Sequence, residues 1–306
     1  MNIWTSLLFT FTLPLTAANL PALNDTPSFD DVLDTPLEPP TVTPSFFQID
    51  GRGDWIQPST LQVPRATIER LGFAETDARA GYVFPCGCAM YSVAAGYQKT
   101  WITLENVYLF DRTDFQNAYV TLGGKVFEGD WTYQGEFQFN ADVDLGGKRC
   151  YLYFYGGWAT YAYLPCLSMS AGFIGRSGLR QDKFWPVLGF EWNINSQWEI
   201  HAVYPVNISV LYRPIKPLAI GLTTRFINSR HRLNKDDIIP SGILEYRNAG
   251  EELGITYSPA PFFSINGHVG YMFRPDLQIS NTWGEVLTDL KADGSFYAGG
   301  NILFRF

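Results

Sequence analysis

Between Trp131 and Val143 the chain alternates without a break. Trp131, Tyr133, Gly135, Phe137, Phe139, Ala141 and Val143 share one face, and Thr132, Gln134, Glu136, Gln138, Asn140 and Asp142 share the other. Successive side chains of a strand point to opposite sides, so this period of two predicts a strand with one apolar and one polar face. Its length constrains the fold further. Strands of soluble domains run about five or six residues, whereas a tilted strand crossing a bilayer needs about 9–11.

The pattern recurs along the chain. Leu188, Phe190, Trp192 and Ile194 oppose Gly189, Glu191 and Asn193. Ala118, Val120, Leu122 and Val126 oppose Tyr119, Thr121, Gly123 and Lys125. Leu218, Ile220, Leu222 and Phe226 oppose Ala219, Gly221, Thr223 and Arg225. Ile265, Gly267, Val269, Tyr271 and Phe273 oppose Ser264, Asn266, His268 and Gly270. Further strands are expected near 89–98, 100–110, 150–163, 167–177, 197–204, 207–213 and 251–258. Asn195-Ser196, Pro214 to Pro217 and Ser258-Pro259-Ala260-Pro261 punctuate them as turns, with each proline at a strand end where no ladder donor is needed. Longer polar stretches lie at 228–241 and 275–293.

No stretch is long and apolar enough to span a bilayer as a helix, which takes about 18 or more apolar residues. A membrane barrel instead spreads its apolar surface over alternating strands. Its ladder must close, because an open edge in lipid leaves backbone groups unpaired at several kcal/mol each. The expected fold is therefore all-β: a transmembrane antiparallel up-and-down β-barrel of about 12 strands, within a range of roughly 10–14. A soluble β-sandwich or lipocalin-like barrel would alternate too, but accounts less well for the strand lengths and the aromatic residues at strand ends. Trp131, Trp158, Trp185, Trp192 and Trp198 suit interfacial girdles.

Residues 1–18 read as a secretory signal peptide: Ile3–Leu15 is uncharged and mostly apolar, and Thr16-Ala17-Ala18 supplies small residues at the cleavage site. No Lys or Arg precedes the apolar run, which departs from the usual pattern. Residues 19–80 read as an acidic, Pro-rich, largely extended segment with a helical turn around Ala66–Leu71. Between 19 and 60 seven acids stand against one base, Arg52, and the whole chain carries a formal charge of −8. Nucleic-acid binding, which needs clustered Lys and Arg, is not expected. The barrel is expected over 81–306.

Export would place Cys86, Cys88, Cys150 and Cys166 in an oxidising compartment, where two disulfides are possible. Cys86 and Cys88 are too close in an extended chain to bridge easily, which favours bonds from that pair to Cys150 and Cys166. A zinc site does not fit their one-residue spacing. No metal, nucleotide or phosphate motif occurs, so no cofactor is expected.

Phe296, Ala298, Gly300, Ile302, Phe304 and Phe306 share one face of the last segment, and the chain ends on Phe306. An aromatic terminal residue with Ile302 and Phe304 before it resembles the C-terminal signal of bacterial outer-membrane β-barrels, which the barrel assembly machinery recognises. The run Phe184-Trp185-Pro186-Val187-Leu188-Gly189-Phe190-Glu191-Trp192, with Trp198, Tyr204-Pro205, Leu211-Tyr212, Tyr246-Arg247, Leu253-Gly254-Ile255-Thr256-Tyr257 and Gly270-Tyr271, resembles a family of uncharacterised bacterial outer-membrane β-barrel proteins. The resemblance covers roughly residues 130–274. It implies a barrel in the bacterial outer membrane with lipid as its surroundings, and transfers no catalytic residues.

With the aromatic faces toward lipid, the lumen is expected to hold Lys125, Glu136, Asp142, Glu191, Glu199, His201, Arg225, His268 and Arg305. Both signs are present, so charges are expected to pair across the interior and leave it narrow or occluded. Two readings follow: a narrow channel or transport barrel for a small solute, or a structural or binding barrel using its loops and N-terminal segment. A lipid-modifying enzyme would need a Ser and His together at the lipid boundary. No Gly-x-Ser-x-Gly elbow occurs, and His201, His231 and His268 read as hydrogen-bonded lumen or loop residues, so no enzyme is expected.

Overall fold

The computed structural model describes residues 46–62, 70–105, 110–143, 151–179, 182–205 and 207–306. Among the described residues, one antiparallel sheet of sixteen strands contains the regular structure. In chain order these are β1 (Phe46–Thr60), β2 (Arg70–Cys86), β3 (Ala89–Glu105), β4 (Asp114–Glu128), β5 (Trp131–Asp142), β6 (Tyr151–Leu164), β7 (Leu167–Gly178) and β8 (Lys183–Asn193). Then follow β9 (Trp198–Tyr204), β10 (Asn207–Ile215), β11 (Leu218–Arg232), β12 (Ile243–Ala260), β13 (Phe263–Met272), β14 (Asp276–Ser280), β15 (Val286–Lys291) and β16 (Ser295–Arg305).

The sheet closes on itself. β1 pairs β16 from Gln48↔Arg305 to Ile56↔Tyr297, and β11 pairs β12 from Leu218↔Tyr257 to Arg232↔Ile243. The β14–β15 hairpin is inserted between β13 and β16 and pairs with the upper end of β12, so the closed wall is a barrel of 14 strands. Turns at one rim are tight: Gly87 and Gly129 take φ of 60° and 57°, a left-handed backbone that glycine adopts without strain. The longer connections lie at the other rim. Short periplasmic turns and longer outer loops are the two rims of an outer-membrane-type barrel.

The outside is an apolar belt. Ile49, Val93, Leu122, Phe137, Leu253 and Val269 all face outward and are exposed. Aromatic rings gather at the turn rim, where Phe47 meets Phe306, Tyr82 meets Phe84, Trp131 meets Tyr133 and Tyr161, and Trp198 meets Tyr212. Rings of this kind suit a membrane interface, where one edge is apolar and the other wet.

Several expectations are corrected. The central estimate of 12 strands falls short of the 14 found, and the barrel begins at Phe46 instead of residue 81. Both corrections have one cause. β1 and β2 lie in the segment read as extended, where acids and prolines masked the alternation of Phe47, Ile49 and Trp55 outward with Gln48, Asp50, Arg52 and Asp54 inward. The helical turn expected at Ala66–Leu71 lies largely outside the described residues; its last two residues, Arg70 and Leu71, open β2 as strand. The stretches 228–241 and 275–293 are not plain loops, since 228–232 continues β11 and the second carries β14–β15. Trp158 and Trp185 are not girdle residues. Register places both on the inner face, where they are 8% and 5% exposed.

Candidate functional site

The lumen of a 14-stranded barrel is wider than wall side chains alone fill; eight strands are about the number whose interior they can pack. This chain deals with the space differently at its two ends.

Toward the turn rim the inner face is small and polar. Thr132, Gln134, Thr160, Ser168, Thr256, Asn266 and Asn301 point inward yet remain partly exposed. Inward-facing residues of a closed barrel keep exposure only where solvent enters the lumen, so this half is a water-accessible vestibule. Charges stand around it. Glu199 contacts both His201 and Arg213, with Glu191 3.6 Å from the imidazole. Lys125 holds its amine over the Phe127 ring. Glu136 and Arg305 complete the inward set.

At mid-height a charged belt crosses the lumen. Asp54 on β1 receives Arg225 of β11 at 2.7 Å and Arg52 at 2.6 Å, and lies 2.8 Å from His268 Nε2 of β13. Arg225 also reaches Glu252 at 3.1 Å, and the Tyr297 hydroxyl donates to Glu252 at 2.6 Å. Asp54 is almost wholly buried, so the cations around it compensate a charge that could not stand there alone. Nearby, Arg79 donates to Asp50 at 2.9 Å and Tyr119 to Asp77 at 2.7 Å.

Above the belt the upper ends of β11 and β12 leave the wall and fold into the lumen as a two-stranded ribbon. One face carries Ile227, Ser229, His231, Leu244 and Tyr246, extended by Leu277 and Ile279 of β14. It packs on the inner faces of β1 to β4: Tyr246 stacks on Phe73 and His231 on Phe115, each at 4.4 Å. Ile56, Leu71, Ile102 and Leu290 join the same apolar cluster. The other face of the ribbon meets the inner faces of β7 and β8. Arg176 donates to Glu245 at 2.8 Å and to Asn228 at 3.0 Å, and Lys183 approaches Glu245 at 3.2 Å. Arg112 grips Asp142 with two bonds of 2.9 and 3.1 Å and donates to the Arg232 carbonyl at 3.1 Å, tying the ribbon to β5.

All nine residues expected in the lumen project inward, but they do not form one site. Arg225 and His268 share the belt, Glu191, Glu199 and His201 share the vestibule, and Asp142 is locked under the ribbon. Lys125, Glu136 and Arg305 stand apart. The sequence reading missed the partners that organise them: Asp54 and Arg52, hidden in the acidic segment, and Arg112, Arg176, Arg213, Glu245 and Glu252. Asp50, Arg52 and Asp54 alternate with Ile49, Gly51, Gly53 and Trp55, a signal that could have found them. Ser229 and His231 do meet, but both are buried in the ribbon core, where a substrate has no access. Cys86, Cys88 and Cys166 are free, so the bridges expected among them do not form; Cys150 lies outside the described residues. Cys86 ends β2, Cys88 lies in the turn after it and Cys166 in the turn after β6, two hairpins apart along the rim. Ile302, Phe304 and Phe306 lie on the outer face.

No protein-family model matches the chain. An uncharacterised protein of Chlamydia pneumoniae is 31% identical over 141 residues, 46% of this chain and 45% of the relative. An uncharacterised protein of Chlamydia trachomatis is 28% identical over a stretch of the same length and coverage. The chain thus spans about half the length of the curated relatives it matches. Among solved structures, an outer membrane channel from Pseudomonas putida F1 aligns with a TM-score of 0.49 at 7% identity, over 89% of this chain and 99% of that one. The P. putida toluene transporter TodX aligns at 0.45 and 10% identity, over 86% of this chain and 91% of its own. Likeness at this level goes no further than the outline of a barrel.

Proposed function

We propose that this protein is a narrow outer-membrane channel for small solutes, entered through the vestibule and restricted above it by the charged belt and the ribbon. One observation carries the reading. The inner surface toward the turn rim is polar and solvent-reached, which a purely structural barrel has no need to maintain, and it leads directly to a belt of paired charges. Charges of both signs around a constriction favour small polar or zwitterionic solutes over large or strongly charged ones. The site is the bacterial outer membrane, with insertion directed by Ile302, Phe304 and Phe306 through the barrel assembly machinery.

The second reading, a structural or binding barrel, draws on the dense packing of the upper lumen. Single-channel recording of the purified chain in planar bilayers separates the two. Small, well-resolved current steps support the channel; a membrane-inserted protein with no current above background leaves the structural barrel. A band that shifts on boiling, present in outer-membrane fractions, tests the location, and a soluble unshifted species would overturn it.

A further inference from the structure

Acids and bases inside the barrel are not evenly matched. In the vestibule Lys125, Arg213 and Arg305 stand with Glu191, Glu199 and His201, and neither sign prevails. Around the belt the balance tips. Asp50 and Asp54 of β1, Glu75 and Asp77 of β2 and Glu252 of β12 face inward there, with Glu136 of β5 below them. The cations at that level are Arg52, Arg79 and Arg225, joined by His268. Each arginine already holds a carboxylate. Arg52 and Arg225 hold Asp54, Arg225 also reaches Glu252, and Arg79 holds Asp50.

Glu75, Asp77 and Glu136 make no ion pair among the described residues. Glu75 is buried and accepts from the Thr100 hydroxyl at 3.3 Å. Asp77 and Glu136 differ from it: both stay partly exposed on the inner face, where lumen water reaches them. Asp77 accepts from the Tyr119 hydroxyl. Glu136 has no hydrogen-bond partner among the described residues. Gly123 on β4 and Gly156 on β6 lie level with it, so neither neighbouring strand carries a side chain there. A carboxylate held inside a barrel needs a counter-charge. Where the chain supplies none and water enters, a mobile cation supplies it. The chain leading to the vestibule has the same sign. Residues 19–45, which precede β1 at the turn rim, hold Asp25, Asp30, Asp31, Asp34 and Glu38 and no base. Charge of one sign around a mouth raises the local concentration of the opposite ion.

We propose that the lumen selects small cations over anions, and that Asp77 and Glu136 are the residues that set this preference. The arginines of the belt hold the constriction in shape, because their charge is spent on Asp50, Asp54 and Glu252. The two carboxylates left over face water and give the passage its sign. This inference rests on the channel reading and narrows its cargo to small cationic solutes.

The test reads the sign of the lumen without relying on current. In the full folded chain with its four native cysteines replaced by serine, Gln138→Cys places a thiol two residues from Glu136, and Thr160→Cys places one in the vestibule. Each is treated with two methanethiosulfonates of similar size, one carrying a quaternary ammonium and one a sulfonate, and each rate is divided by that of a free thiol. Residues two apart on one strand face are about 7 Å apart. A unit charge at that distance in water shifts a monovalent ion about threefold, in opposite directions for the two signs. The cation-to-anion ratio at Gln138→Cys should therefore exceed that at Thr160→Cys by roughly five- to tenfold. Adding Glu136→Gln, which removes no bond, should bring the two ratios together in protein that still shifts on boiling. Equal ratios from the start, as carboxyls holding protons would give, overturn the proposal, and so does an unchanged ratio after Glu136→Gln. Current across a potassium chloride gradient reports separately on the channel, with a zero-current potential of the cation's sign expected and one of the anion's sign overturning the preference. Current with equal ratios overturns the preference alone. A high ratio without current overturns the channel while the cation-attracting lumen stands.

Discussion

The two halves of the lumen solve opposite problems with the same strands. Toward the turn rim the inner positions include Thr132, Thr160, Ser168, Thr256, Asn266 and Asn301, short polar residues, with charged side chains such as Lys125, Glu199 and His201 among them. Toward the loop rim they are Ile56, Phe73, Ile102 and Phe115, bulky residues that cannot face water, and the chain supplies its own filling by folding the β11–β12 ribbon onto them. A 14-stranded wall needs such a filling if it is to close, because its diameter exceeds what wall side chains bridge. Dense packing and solvent access are therefore divided by height. The upper half resembles the packed interior of a soluble domain, and the lower half resembles a pore.

That division can be broken most severely at the belt between the halves. Asp54→Ala leaves Arg52 and Arg225 buried without their shared counter-charge and should cost about 3–5 kcal/mol, the range for removing one partner of a buried pair. Denaturant unfolding followed by the boiling shift measures it, and a loss below about 1 kcal/mol, the level of an exposed pair, would show that the belt is solvated. In the upper half, Leu277→Ala removes a side chain with no exposure and should cost about 2–5 kcal/mol. On the outer surface, Phe137→Arg should cost about 2–4 kcal/mol if that position faces mid-bilayer lipid, and a neutral outcome in the same assay would refute the assigned facing. In the vestibule, Thr256→Ala should stay within about 0.5 kcal/mol while altering single-channel current. A large stability loss there would show that the lower lumen is packed as well.

The wall was legible because a strand with lipid on one side and water on the other writes its period directly into the sequence. Trp131 to Val143 is the clearest case. β1 was harder to read: its outward face includes Gly51 and Gly53 and its inward face is mostly charge, so the segment looked like a solvated tail. The ribbon escaped for a different reason. Along 225–232 and 243–249 both faces are buried, one against apolar residues and one against Arg176 and Lys183, so neither face reads as lipid or as water. Its charged row, Arg230, Glu245 and Arg247, looks like a loop until the partners on β7, β8 and β14 are known. Trp158 and Trp185 were misplaced because they were read as tryptophans near strand ends, without their parity: Trp185 is out of step with outward Leu188, Phe190 and Trp192, and Trp158 with outward Tyr151 and Tyr161.

The division of the lumen is tested most directly by thiol accessibility. In a background with the four native cysteines replaced by serine, Thr160→Cys and Thr256→Cys place a thiol in the vestibule, and Leu244→Cys and Ile279→Cys place one under the ribbon. A charged, membrane-impermeant thiol reagent applied to the folded barrel should modify the first two readily and leave the second two protected until the protein is unfolded. Equal modification of all four would contradict a lumen that is open below and sealed above.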